Sequence, residues 1–188
     1  ATPVMDGLMM NDWGTNYTNG EETFGNNTSF VGPGWGGQQF DIEKIGLQID
    51  NGDIYFGLQT GFNFLQGEVY GGNTYTAGDI FIDFGLNDTW DIAIELSDFS
   101  VHSVGSFSDP TFGSSTPLSL TSGVNLGSAS GLFGSGSNTY GESFYSVEGV
   151  LNLNDLGLEA FYGQGALIHW TMSCGNDVLE HEANAPVP

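Results

Sequence analysis

The chain has 188 residues, with 23 Asp or Glu against one Lys or Arg, a formal net charge of −22. That length suits one domain with a substantial core, and 39% hydrophobic and 13% aromatic residues can fill it. Nucleic acid and anionic membrane surfaces are poor partners, because both would repel so strong a polyanion.

With Lys44 as the single cation, salt bridges cannot balance the acids. Their carboxylates must be solvated, hydrogen-bonded to backbone N–H groups, or neutralised by metal ions. One cysteine, Cys174, rules out an intramolecular disulfide framework and reads as a buried free thiol, with an intermolecular bridge as the alternative. The longest apolar runs are strand-sized, so no transmembrane helix is expected in the mature chain. A start at Ala1 without an initiator Met is read as a mature exported chain after removal of a signal peptide.

Residues 1–13 read as an N-terminal strand or arm. Val4, Leu8 and Met10 share an even spacing there, and are candidate contacts to a second subunit by strand addition. Residues 14–178 read as the β-sandwich and 179–188 as a tail. Asn, Gly and Thr crowd residues 14–37, which predicts a long loop or a set of edge strands. Asn16, Asn26, Asn27 and Asn87 each begin a glycosylation sequon, though a chain this rich in Asn and Thr produces such matches by chance. Trp13 and Trp35 are expected to cap the core, or else to lie exposed as sugar platforms.

Residues 38–99 organise the chain. Period-2 alternation predicts strands over 39–49, 53–60, 79–84 and 90–96, and turn residues at Asp50-Asn51-Gly52-Asp53 and Gly85-Leu86-Asn87-Asp88 separate them. Within 79–84, Ile80, Ile82 and Phe84 share one face; Asp79, Phe81 and Asp83 share the other. Asp41 and Glu43 fall on one side of the preceding strand. No amphipathic helix of 12 residues is evident. The expected fold class is therefore all-β, a single-domain antiparallel β-sandwich, jelly-roll-like, with little helix.

Ser, Gly and Thr dominate 103–143. Phe107, Phe112, Leu118, Leu120, Val124, Leu126, Leu132 and Phe133 are nevertheless too many anchors for a free linker, so short strands and packed loops are expected. Residues 144–151 alternate as a strand, 153–158 suit one helical turn, and 166–173 read as the final strand.

Calcium suits this composition, since it takes six to eight oxygens from carboxylates, carbonyls and carboxamides. The candidate ligands are Asp41, Glu43, Asp79 and Asp83 on strands, and the turn set Asp50, Asn51 and Asp53; the plain alternative is a solvated acidic face. His102, His169 and His181 are scattered, which argues against zinc or haem. His169 reads as a structural residue on a strand. No nucleophile elbow, P-loop or dinucleotide motif occurs, and no enzyme is expected. Two functions remain: a structural subunit that assembles with itself through open strand edges, and a carbohydrate-binding module. For the second, Trp13, Trp35 and Trp90, with Tyr70 and Tyr75, supply candidate sugar-stacking rings.

The run Ala166-Leu167-Ile168-His169-Trp170-Thr171-Met172-Ser173-Cys174-Gly175-Asn176-Asp177-Val178, with Ala185-Pro186-Val187-Pro188 at the end, resembles the mature end of exosortase-dependent bacterial surface proteins. In that family a Trp-Thr-Met-x-Cys-Gly-Asn-Asp run comes just before a Pro-Glu-Pro sorting signal. Phe40-Asp41-Ile42-Glu43 and Ala77-Gly78-Asp79-Ile80-Phe81-Ile82-Asp83 are similar to other segments of these proteins. Here the sequence stops at Pro-Val-Pro, without the Glu-Pro, anchor helix and basic tail of a precursor. The resemblance implies export, residence at the cell surface or in a matrix, and a β-sandwich ectodomain; it implies no catalytic activity.

Overall fold

A computed structural model of the chain describes residues 2–9, 12–20 and 29–185. Fifteen strands appear among them: β1 (Tyr17–Asn19), β2 (Ile42–Asp50), β3 (Asp53–Thr60), β4 (Glu68–Tyr70), β5 (Asn73–Tyr75), β6 (Ile80–Phe84), β7 (Ile92–Ile94), β8 (Ser100–Ser103), β9 (Ser106–Ser108), β10 (Ser119–Ser122), β11 (Asn125–Ser128), β12 (Ser130–Ser137), β13 (Ser143–Asn152), β14 (Ala166–Thr171) and β15 (Val178–Ala183). The only helical elements among the described residues are three 3-10 turns. None is long and apolar enough to cross a membrane.

The strands build an antiparallel β-sandwich. One sheet has five strands in the order β1-β2-β3-β13-β12, and the other has six in the order β11-β8-β7-β6-β14-β15. Alternation decides which side chains face inward. Ile45, Leu47, Ile54, Phe56, Leu58 and Val147 come from the first sheet; Ile80, Ile82, Ile92, Ile94, Ile168 and Trp170 come from the second. Trp170 sits between Phe62 and Phe64, with ring centroids 6.1 and 5.5 Å away, and donates its indole N–H to the Gly78 carbonyl at 2.9 Å.

Three local devices shape this frame. In the β2–β3 hairpin, Asn51 (φ 51°) and Gly52 (φ 91°) both have positive φ, the two-residue turn that matches strand twist. Within β2, Ile42 pairs with Thr60 and Lys44 with Gln59, leaving Glu43 as an extra residue. That bulge supplies the half-step which puts Ile42 and Ile45 both in the core. Third, the β9–β10 hairpin covers the outer face of the six-stranded sheet. Phe107 meets Phe81 at 5.9 Å, and the Pro117 carbonyl lies 2.9 Å from His169 Nε2.

The chain ends differ from expectation. The stretch read as a tail from 179 contains most of β15, an edge strand of the six-stranded sheet. Of Val4–Met10, Met10 lies outside the described residues, and the remainder is an irregular segment rather than a strand. The helical turn expected over 153–158 is a non-helical turn, followed by a 3-10 turn at Glu159–Phe161.

Candidate interaction surfaces

The outer face of the five-stranded sheet carries a seat for the N-terminal arm. Cross-strand register lines up Gly46 on β2, Gly57 on β3, Glu148 on β13 and Leu132 on β12. The two glycines leave a floor on which Met9 and Trp13 lie; a Cβ at Gly57 would come 2.7 Å from Trp13 Cζ2 and 2.8 Å from Met9 Sδ. Glu148, 0% exposed, closes the seat. Its Oε2 accepts the backbone N–H groups of Asp6 (3.1 Å), Gly7 (2.8 Å) and Leu8 (3.1 Å), and its Oε1 accepts the Trp13 indole N–H at 2.6 Å. Gly7 has φ 86°, which turns successive N–H groups toward one anion. The Ser146 hydroxyl donates to the Gly7 carbonyl. Burial pushes the Glu148 carboxyl up, while the Trp13 indole and the Gly7 N–H pull it back.

This arrangement decides between the two readings of Trp13, in favour of the core cap. Trp13 is 1% exposed and cannot serve as an exposed sugar platform. Met9 is buried with it, whereas Val4 is 60% exposed and Leu8 is half-buried. Mid-strand glycines at 46 and 57, and a lone acid in the apolar strand 144–151, were the available signals. They point to a seat only once the register sets them side by side.

The predicted metal ligands are dispersed, and much of their oxygen is already engaged. Glu43, buried, accepts carboxamide N–H bonds from Gln38 (2.8 Å), Asn138 (3.2 Å) and Gln59. Asp41, also buried, lies beside Asp177 at the junction of the sheets. Asp177 accepts the N–H groups of Ile42 (2.6 Å) and Val178 (2.7 Å), and its carboxyl is held well above the usual range by burial first and by the Asp41 charge as well. Asp79 and Asp83 sit at opposite ends of β6. Asp79 takes the Leu120 N–H at 2.8 Å; Asp83 takes those of Asn87 (3.3 Å) and Asp88 (2.9 Å) in the following turn. Asp50 and Asp53 flank the β2–β3 turn, bonded to Asn51 and Asn152. Among the described residues, no three His, Cys, Asp or Glu side chains gather as a metal site. Nor is the strand face of Asp79, Phe81 and Asp83 a solvated one, since Phe81 and Asp83 are buried.

The Trp170–Asp177 run forms the turn from β14 to β15 and braces a neighbouring loop. The Thr171 hydroxyl donates to the Asp177 carbonyl, the Asn176 amide donates to the Trp35 carbonyl, and Cys174 is a buried free thiol. Gly34 N–H reaches the Asn176 carbonyl at 2.6 Å. The braced loop presents Trp35, 65% exposed, edge-on to Phe30 at 5.6 Å. Trp90 is half-buried against Phe81 and His169, at 6.1 and 5.3 Å. Tyr70 and Tyr75 flank Phe40 edge-on. Of the sequons, Asn16 donates its amide to Gln48 at 2.7 Å and Asn87 donates to the Phe84 carbonyl at 3.4 Å, while Asn26 and Asn27 lie outside the described residues.

The sheet edges are unequal. β1 and β11 are short, and β15 carries Glu180 and Glu182; short or charged edges resist pairing. β12 runs for eight residues of Ser, Gly, Leu and Phe and pairs only with β13 among the described strands. It lies within residues 110–141, which contain no Asp, Glu, Lys, Arg or His. β11 and β12 follow one another through Ala129, so one side of the sandwich ends in two uncharged edges. Comparison with protein-family models, with curated proteins and with solved structures returns no match to this chain.

Proposed function

We propose that the chain is a secreted structural subunit of an extracellular assembly: a filament, a surface layer or a biofilm matrix. The observation that carries this reading is the open, uncharged edge β12 in a chain of net charge −22. Two copies repel each other over most of their surface; along residues 110–141 they do not, and there β12 has an edge that pairs with no other strand among the described residues. In this reading the chain performs no reaction and its partner is itself. Calcium acts by bridging surface carboxylates between copies, since the predicted ligands do not converge within one chain. Analytical ultracentrifugation and negative-stain microscopy test the proposal. Concentration-dependent assembly at about 0.15 M salt is expected, where the Debye length is near 8 Å; a monomer at every concentration contradicts it.

A second reading, a carbohydrate-binding module, draws on Trp35, whose exposed ring is held by a braced loop. Rigid exposed aromatics are common recognition elements. Retention of a specific glycan on an array, lost in Trp35→Ala, would favour it over the structural subunit.

A further inference from the structure

We infer that β12 pairs with β12 of a second copy about a two-fold axis, joining two five-stranded sheets into one. This rests on the structural-subunit reading and names its contact. A strand edge paired with itself is self-complementary, so each copy offers and receives the same surface.

Side-chain placement supports a second copy as the occupant. On the outer face β12 presents Ser130, Leu132, Gly134 and Gly136, so Leu132 is its one large apolar side chain there, and it is 47% exposed. Beside it is a pocket of about 120 Å³ roofed by Met5 of the arm and walled by Leu132 and Val150. Antiparallel self-pairing that keeps outer face with outer face matches even positions to even positions. Leu132 of one copy then falls opposite a Ser, a Gly or the partner's Leu132, and side chains on neighbouring strands reach each other directly or diagonally. No charge is introduced at the seam, because β12 carries none.

The contact consumes the same edge on both copies, so it closes at two. The dimer is therefore the finite unit from which a larger assembly is built, and any polymer requires a further contact.

Sedimentation of the full chain tests this. Wild type shows a discrete dimer, and Leu132→Asp, which places a carboxylate at the seam, loses it; Leu132→Met keeps it. Val124→Asp adds the same charge at an exposed site off β12 and leaves the dimer intact. Ser135→Asp, at an exposed β12 position, repeats the test if Leu132→Asp fails to fold by circular dichroism. A wild type that associates equally well with either β12 variant overturns the inference while the subunit reading stands. A wild type that is monomeric throughout overturns both.

Discussion

Glu148 and Asp79 show two ways in which a carboxylate is held in a chain almost without cations. Glu148 is satisfied by four N–H donors, three of them backbone groups of the arm. Glu148→Ala strands those donors beneath a seat with no acceptor. Unsatisfied buried donors cost about 1–3 kcal/mol each when water cannot reach them; with the arm free to lift away, a loss of about 2–4 kcal/mol in urea unfolding is expected, together with faster proteolysis of residues 2–9. Unchanged stability and cleavage would show that Glu148 does not hold the arm. Asp79 lies differently: burial raises its carboxyl to about 6, opposed by the Leu120 N–H, with Glu95 raising it and His102 lowering it. An acid whose folded value is raised binds its proton more tightly in the native state. Asp79 therefore makes stability fall as pH rises from about 4 to about 6, by up to about 3 kcal/mol. In Asp79→Asn the amide oxygen still accepts the Leu120 N–H and the penalty disappears. A higher Tm than wild type at pH 7, with little difference at pH 4, is expected in scanning calorimetry.

Among the elements, the paired strands β2 and β3 matter most, because their glycines make room for the arm. Gly57→Ala places a methyl group within 2.8 Å of Trp13 and Met9, and overpacking of this kind costs about 1–3 kcal/mol. Trp13→Ala empties the same seat and should cost about 3–5 kcal/mol. Measured together, the two changes should be less than additive, since each displaces the same arm; strict additivity in urea melts would separate the glycine floor from the indole. The bulge at Glu43 is equally local in origin. A regular strand would put Ile42 and Ile45 on opposite faces, and the core takes both. Glu43 itself, the extra residue, points into a carboxamide cluster of Gln38, Gln59 and Asn138.

Charge governs the whole molecule. At low ionic strength the repulsion between polyanionic copies is poorly screened, and added salt or calcium relieves it. Assembly measured by light scattering should rise between about 0.01 and 0.15 M salt, and should fall when EDTA is added at low ionic strength. Equal yield in EDTA at low salt would contradict calcium bridging. The uncharged side that ends in β11 and β12 is the surface on which this repulsion is weakest, so electrostatics and strand pairing favour the same contact.

The all-β class, and the strands β2, β3, β6, β13 and β14, were legible in the sequence, because alternation and turn residues act over a few neighbours. The burial of Cys174 followed from residue type in the same way. The seat could not be read from the sequence: Glu148 and Gly57 mean nothing apart, and only cross-strand register brings them under the arm. Asp79 and Phe81 lie on a strand face that a Ser-rich hairpin distant in sequence covers. Local pattern specifies which face of a strand is apolar. What comes to lie on the other face depends on contacts between segments far apart in the chain, and those belong to the tertiary structure.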